Sequence, residues 1–169
     1  MNILAIDPAK RSGWAWSDGQ RLVFGVWLLG SHPATRLARL DASLQSAANR
    51  WSPDVIAYES ATFGSRHAHV MRRHNELAGV IELFAAKSRL QCWSYPPSQW
   101  KARALACGNA DKGAVMRLLE LIYGVRVTDQ DAADAIGILK AAERGPPPET
   151  SKQVQRRRSR QAKRLPRLF

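Results

Sequence analysis

The chain has 169 residues, of which 45% are hydrophobic, and this length predicts one folded domain that needs neither a disulfide nor a structural metal. No apolar run is long enough to cross a membrane, and the start lacks the features of a signal peptide, so we expect no membrane partner and a cytoplasmic location. Cys92 and Cys107 do not form a CxxC motif and predict buried, reduced thiols.

The first three predicted elements are strands. A short apolar run at residues 2–7 predicts a strand that is buried on both faces. Aromatic and β-branched runs at 13–17 and 21–29, joined across Asp18-Gly19, predict a hairpin.

Helices and short strands follow the hairpin. Apolar residues at helical spacing predict helices at 33–51 and 67–87, and short apolar runs predict strands at 54–59 and 91–95. The order of elements predicts an α/β fold with a mixed five-stranded sheet, which has an antiparallel hairpin early, parallel strands later and flanking helices.

Three more helices are expected in the C-terminal part of the chain. Their predicted N-caps are Ser98, Asp111 and Thr128, because short polar side chains accept hydrogen bonds from the first turn of a helix. We expect these helices to end near residues 106, 123 and 144.

The net charge of +12 is concentrated at the C-terminus, where residues 151–169 carry eight basic and no acidic side chains. Gly145 and the three prolines after it stop a helix, so we predict a folded domain over residues 1–145 and a basic, flexible tail over 146–169. Such a tail binds phosphate backbones by releasing counterions, with Arg156, Arg157 and Arg158 as candidate contacts. A solubility or targeting segment is the alternative.

The second predicted helix carries two features of its own. An apolar stripe along one face fits either the core or the interface of a homodimer; it consists of Val70, His74, Leu77, Ile81 and Phe84. Basic residues near the start of this helix predict either a nucleic-acid contact or a solvated surface; they include Arg66, Arg72 and Arg73.

Acidic side chains end both of the strands expected at the centre of the sheet. Asp7 ends the first strand and Glu59 ends the fourth, and ligands of open α/β sheets gather at such strand ends. Asp131 and Asp134 lie three residues apart, so both project from nearly the same helix face. For Asp7 a turn beside Pro8 is an alternative, and for Asp131 a capping box with Thr128.

Four carboxylates without Cys or His at metal spacing favour a hard cation such as Mg²⁺ or Mn²⁺. Their formal charge balances two divalent ions. Two such ions activate a water and stabilise the leaving oxygen when a phosphodiester is hydrolysed.

Several segments together resemble the RuvC family of Holliday junction resolvases, enzymes of DNA recombination and repair. They are Asp7-Pro8-Ala9-Lys10-Arg11-Ser12-Gly13-Trp14-Ala15, Tyr58-Glu59-Ser60, Trp100-Lys101, Asn109-Ala110-Asp111-Lys112 and Asp131-Ala132-Ala133-Asp134-Ala135. The resemblance covers residues 1–145 and implies an RNase H-like fold, a homodimer and Mg²⁺-dependent cleavage of four-way DNA junctions. Ala9, where the family usually has glycine, and the long basic tail suit a divergent, phage-type member in a bacterial or phage-infected cell.

The resemblance also implies roles by position. The metal-binding and catalytic carboxylates are Asp7, Glu59, Asp131 and Asp134. Lys101 and Lys112 match lysines that contact DNA phosphates near the cut, and Lys101 is also expected to act in catalysis. Phe63, one residue beyond the usual spacing, matches an aromatic wedge at the junction centre. The cofactor is expected to be two Mg²⁺ ions, with Mn²⁺ able to substitute.

Two other functions stay open on the sequence. One keeps the fold and hydrolyses RNA in an RNA/DNA hybrid, where the 2′-hydroxyl is the recognition group. The other is a non-catalytic protein that binds branched DNA. An actin-like phosphotransferase needs a second lobe, for which 169 residues leave no room.

Overall fold

Five strands form one mixed sheet in the computed structural model, which describes residues 1–61 and 68–148. The strands are β1 (Ile3–Asp7), β2 (Arg11–Ser17), β3 (Leu22–Leu28), β4 (Val55–Glu59) and β5 (Gln91–Tyr95). Their order across the sheet is β3-β2-β1-β4-β5. Strand β1 is antiparallel to β2 and parallel to β4, and β4 is parallel to β5. The predicted fold class is therefore confirmed.

Helices cover both faces of the sheet. They are α1 (Pro33–Trp51), α2 (Ala68–Lys87), α3 (Pro97–Leu105), α4 (Lys112–Tyr123) and α5 (Gln130–Ala142). Helices α1 and α2 share one hydrophobic core with one face of the sheet, and α3, α4 and α5 share a second core with the other face. In the described residues, no helix is long and apolar enough to span a membrane.

The central strand β1 serves both cores, because successive side chains of a strand point to opposite faces. Ile3 and Ala5 pack on the side of α5, whereas Leu4 and Ile6 pack on the side of α1 and α2. All four are buried, as the sequence predicts for a strand covered on both faces. By the same alternation Asp7 points to the side of α5.

Two predicted helix starts are wrong, and each has a local cause. Helix α3 follows Pro96 as its N-cap, and Ser98 lies inside the helix, because Pro97 already has the backbone angle of a first helical residue. Helix α5 is capped by Asp129 instead of Thr128. Asp111 caps α4 as predicted, and its side chain accepts a hydrogen bond of 2.7 Å from the Ala114 amide.

The apolar stripe of α2 is mainly core. Leu77, Ile81 and Phe84 are buried against the sheet, whereas Val70 is exposed. The three buried side chains are therefore not available to a dimer interface. The two cysteines are free, as predicted, but both are only half-buried, which corrects the expectation of buried thiols.

Candidate active site

The predicted acidic residues meet at one end of the sheet. In the register of β1 and β4, Ile6 lies beside Tyr58, so the next residues, Asp7 and Glu59, are neighbours at the ends of these strands. Both point to the side of α5, the helix that carries Asp131 and Asp134. The charges of Glu59, Asp134 and Asp131 all act on the Asp7 carboxyl, which is how a shared site behaves.

Gly13 allows α5 to approach the sheet at this point. It pairs with Asp7 across β1 and β2. A Cβ atom at Gly13 would lie only 1.8 Å from the backbone oxygen of Asp131. The absence of a side chain here therefore sets how closely the start of α5, with its two carboxylates, lies to Asp7.

The start of α5 is fixed by Asp129 and Arg11. The Asp129 Oδ1 atom accepts hydrogen bonds from the amides of Asp131 (2.9 Å) and Ala132 (3.1 Å), so the capping box between Thr128 and Asp131 is wrong. Arg11 bridges the two acids, with its Nη2 atom 2.5 Å from Asp129 Oδ2 and its Nε atom 3.0 Å from Asp131 Oδ2. Asp131 is consequently free of a capping role and paired with a cation.

Glu59 is held by a buried tryptophan. The indole Nε1 of Trp100 donates a hydrogen bond of 2.7 Å to Glu59 Oε2. Trp100 is fully buried, and a Cβ atom at Gly137 of α5 would lie 2.3 Å from its ring. On the other side of Glu59, His74 Nε2 donates to the backbone oxygen at 2.7 Å. Glu59 is thus positioned from two helices, one on each face of the sheet.

Lys101 and Lys112 also lie close to the carboxylates. Both lower the pKa values of Glu59 and Asp134, so their charges act on the same site. The Lys101 ammonium group donates a hydrogen bond of 2.8 Å to the Ala110 backbone oxygen. Lys112 is the first residue of α4 and is exposed. The cluster therefore combines four carboxylates with two lysine side chains at its edge.

Burial raises the pKa values of three of the carboxyls, those of Asp7, Glu59 and Asp134, and so favours their protonated forms. Burial, followed by repulsion from the other three carboxylates, raises the pKa of the Asp7 carboxyl well above its ordinary value. Burial and then the charge of Glu59 raise the pKa of Asp134 to about 6. Burial also raises the pKa of Glu59, against the opposing effect of the Trp100 hydrogen bond. A bound cation would relieve this repulsion.

The donor set fits a hard divalent cation in chemistry and charge, since it offers only carboxylate oxygens. In residues 1–61 and 68–148, however, no three His, Cys, Asp or Glu side chains are close enough together to hold an ion. Two of the four acids are occupied, Glu59 by Trp100 and Asp131 by Arg11. A cation can therefore bind to several of these carboxylates only if their side chains move closer together.

Two other predicted contacts, Arg72 and Arg73, lie on α2 and not among the carboxylates. Arg72 lies on α2 and pairs with Glu76, with 2.9 Å between Arg72 Nε and Glu76 Oε1. Arg73 is on the same helix, beside His74. Phe63, Arg66, Arg156, Arg157 and Arg158 lie outside the described residues.

Sequence reasoning missed four residues of the site: Arg11, Gly13, Trp100 and Gly137. Each lies inside or beside a segment with a recognisable motif, but its role depends on a partner far away in the chain. The separation of Arg11 and Asp131, for example, is 120 residues. For the two glycines, the sequence offered one signal: a residue without a side chain, which allows another element to approach closely.

Comparison with known proteins identifies the family. Residues 3–141 match the sequence model of crossover junction endodeoxyribonuclease RuvC. RuvC of Prochlorococcus marinus strain MIT 9313 is 31% identical over 152 residues, which are 82% of this chain and 95% of that protein. RuvC of Mycolicibacterium smegmatis is 29% identical over 149 residues, which are 82% of this chain and 80% of that protein.

A solved structure has the same fold. Thermus thermophilus RuvC, in complex with a Holliday junction substrate, superposes with a TM-score of 0.71 over 85% of this chain and 93% of that one, at 22% identity. The mixed sheet with helices on both faces is therefore the RNase H-like fold of that protein. With its match over residues 3–141, this chain belongs to the RuvC family of crossover junction endodeoxyribonucleases.

Proposed function

We propose that this chain is a divalent-metal-dependent endonuclease that cleaves DNA at four-way junctions. The observation that carries the proposal is the convergence of Asp7, Glu59, Asp131 and Asp134 at one end of the sheet, within the span matched by the family. A relative of the same fold binds a Holliday junction, which supports branched DNA as the substrate.

The four carboxylates are the proposed ligands of two Mg²⁺ ions, for which Mn²⁺ can substitute. The raised pKa values of Asp7, Glu59 and Asp134 support this role, because a bound cation favours the ionised forms that burial and mutual repulsion disfavour. Bound divalent ions supply activation of the attacking water and stabilisation of the leaving oxygen. Asp131 gives up its bond to Arg11 when it takes part.

Lys101 and Lys112 act on the phosphate in this proposal. Both lie close enough to the carboxylates to change their pKa values, so a phosphodiester at the cluster meets both positive charges. Preorganised cations stabilise the negative charge that develops on the phosphate oxygens in the transition state. Both lysines are proposed to contact DNA phosphates, and Lys101 is also proposed to be catalytic, through its positive charge.

Further DNA contacts are proposed for basic and aromatic residues in the stretch from residue 63 to residue 73 and in the tail. They are Phe63, Arg66, Arg72 and Arg73, with Arg156, Arg157 and Arg158 in residues 146–169. The eight basic side chains of residues 151–169 support a salt-sensitive contribution to affinity. Deletion of residues 151–169 is expected to flatten the dependence of log affinity on log salt concentration.

A homodimer is the proposed assembly, because a two-fold junction offers two equivalent strands to a two-fold enzyme. Sedimentation at the concentrations of the cleavage assay tests it, and a monomer that nicks both strands in concert would contradict it. The relatives are bacterial proteins, so the cytoplasm of a bacterium or of a phage-infected cell is the proposed location.

The decisive experiment is cleavage of a labelled synthetic four-way junction beside linear duplex, flap and RNA/DNA hybrid, with Mg²⁺ or with EDTA. We expect metal-dependent, symmetric cuts in the junction alone. Asp7→Asn is expected to abolish cutting and to leave junction binding intact or tighter, because it removes a negative charge that faces DNA. Asp41→Asn, an exposed position on α1, is the matched control and should cut normally.

Two outcomes would overturn the proposal in different ways. Preferential cutting of the hybrid would make the chain an RNA hydrolase of the same fold. Tight junction binding without any cutting, by wild type in Mg²⁺ or Mn²⁺, would make it a binding protein.

A further inference from the structure

A groove lined by tryptophan side chains lies between β3 and α1. Its volume is about 590 Å³, and its aromatic walls are Trp14, Trp27 and Trp51. Gly13 faces α5 and the carboxylates, so the next residue of β2, Trp14, points to the opposite face of the sheet. This tryptophan groove is therefore separated from the candidate active site by the thickness of the sheet.

The tryptophan rings form a connected stack. Trp14 and Trp27 have their ring centroids 5.8 Å apart at an interplanar angle of 21°, and Trp14 and Trp51 lie 5.0 Å apart. The Trp14 ring lies across Gly25 of β3, where a Cβ atom would approach it to 3.0 Å. All three tryptophans are partly exposed, so part of their aromatic surface is accessible in the groove.

The groove is also positively charged. Arg39 and Arg50 of α1 line it, and both are exposed. The Arg50 guanidinium lies 5.4 Å from the centroid of the Trp51 ring. Among the described residues that line the groove, none is acidic. Aromatic faces and unneutralised guanidinium groups in one recess match a ligand with planar rings and negative charge.

We propose that the tryptophan groove is a second DNA site, which binds a single strand by stacking its bases on the tryptophans and pairing its phosphates with Arg39 and Arg50. Bases in a duplex are already stacked and do not offer their faces, so the groove favours unpaired nucleotides. Its volume lies in the usual range of ligand sites, about 300 to 1,000 Å³.

Two other occupants suit the groove less well. The C-terminal tail has the wrong sign, since residues 151–169 hold eight basic and no acidic side chains. A second copy of the chain would have to place acidic side chains against the two arginines, and its net charge of +12 makes it a poorer match for them than DNA. A strand of DNA is drawn to the same charge.

This site is independent of the proposed cleavage chemistry. None of its residues touches the carboxylates, and a plain single strand without a branch is sufficient to test it. The two proposals can therefore fail separately.

The test measures binding of an oligothymidine of about ten nucleotides, a length within the usual range of single-strand sites. It uses the full chain in EDTA, with fluorescence anisotropy of the labelled strand and quenching of tryptophan emission as readouts. An abasic strand of equal length and charge separates stacking from phosphate attraction. We expect the abasic strand to bind roughly tenfold more weakly or worse, and to leave tryptophan emission unquenched.

Two variants address the groove itself, and a third controls for charge. Trp27→Leu removes a stacking surface, and the double change Arg39→Gln with Arg50→Gln removes two charges from exposed helix positions, where folding is at little risk. The matched control is Lys87→Gln with Arg89→Gln, which removes two exposed charges near β5, at the far edge of the sheet. We expect both groove variants to lose roughly tenfold or more in affinity and the control to bind like wild type.

Equal binding of the oligothymidine and the abasic strand, with wild-type affinity in both groove variants, would overturn the proposal and leave single-strand binding to the tail. Unchanged affinity together with a changed sedimentation coefficient in the groove variants would assign the groove to a second copy. If the groove variants lose single-strand binding while wild type fails to cut a junction, only the proposed cleavage function is lost.

Discussion

The two faces of the sheet are covered by side chains of different sizes. On one face α5 buries nine of its 13 residues, most of them Ala or Gly, and its backbone lies almost against the sheet. On the other face α1 buries only four of its 19 residues, and bulky tryptophans separate it from β2 and β3. Small side chains allow close contact on the first face, which we call the close face. Large side chains leave a groove on the second face, which we call the open face.

This difference has chemical consequences. Repulsion between the carboxylates and the hydrogen bond from Trp100 to Glu59 both depend on the close approach of helices to the close face of the sheet. The open face offers exposed surface and side chains with room to move, and these suit the binding of a ligand. Variants that add or remove a few atoms should therefore have large effects on the close face and small ones on the open face.

The largest effect is expected from Gly13→Ala. The new methyl group would lie 1.8 Å from the Asp131 backbone oxygen, so the start of α5 must shift away from Asp7. We expect loss of junction cleavage and a decrease of roughly 1–3 kcal/mol or more in the free energy of unfolding. Urea denaturation and the junction assay measure the two effects.

Gly79→Ala is the control on the side of α2. A Cβ atom there meets nothing within 4 Å, and alanine favours a helix by about 1 kcal/mol over glycine. This variant should therefore be as stable as wild type or more so, and should cut normally. Equal stability of the two alanine variants would refute the close approach of α5.

Trp100→Phe is expected to have the next largest effect. It keeps an aromatic ring in the buried site and removes the five-membered ring of the indole, with the N–H group that donates to Glu59. Loss of such a supporting hydrogen bond typically weakens metal binding by about 10- to 100-fold. Calorimetric titration with Mn²⁺ measures this directly, without any cleavage assay.

Trp93→Phe on β5 is the matched control for that change, because Trp93 packs against the same core. Its Mn²⁺ affinity should equal that of wild type. If both variants bind Mn²⁺ equally well, Trp100 does not position Glu59.

A moderate effect is expected from pH on the metal-free protein. The pKa of Asp134 is raised from 3.8 to about 6, so the folded chain holds this proton more tightly than the unfolded chain. The stability that the group contributes is fully present below about pH 4 and is lost as the pH rises through about 6. The free energy of unfolding in EDTA should fall over this interval.

Excess Mg²⁺ should offset this fall, because the cation binds the ionised carboxylates of the folded chain alone. Asp134→Asn in EDTA should show a shallower fall than wild type. An identical pH profile for the two proteins would contradict the raised pKa.

The smallest effect is expected at Asp129. Asp129→Ala removes a cap that accepts hydrogen bonds from two amides, which costs about 1 kcal/mol of stability. Asp129→Asn keeps a capping oxygen and loses only the charge that faces Arg11. That ion pair is exposed and contributes little to stability. Thermal unfolding should therefore rank wild type and Asp129→Asn together, above Asp129→Ala.

The sequence predicts the close face in outline but not in contact detail. Alternation along β1 and β4 places Asp7 and Glu59 at neighbouring strand ends, and the three-residue spacing of Asp131 and Asp134 places them on one helix face. Both inferences need only local geometry. The roles of Gly13 and Gly137 depend on how closely a distant helix approaches, which no local pattern records.

The open face was predicted less completely. The alternation of β2 puts Trp14 and Trp16 on the same side, but the tryptophan groove also needs the register of β3 and the docking of α1. The helix starts failed for a related reason. Ser98 and Thr128 are good caps in isolation, yet Pro97 and Asp129 compete with them one residue away, and the tertiary contacts of Arg11 favour Asp129.

The contact between β2 and α5 has a consequence for protein synthesis. Arg11 and Asp131 are 120 residues apart, so the ribosome adds the start of α5 roughly 6–24 s after the start of β2 at ordinary speeds of translation. Until then a nascent chain carries Asp7 and Glu59 without their partners on α5. If cleavage needs all four proposed carboxylates, the nascent chain cannot cut the DNA around it until α5 has been added.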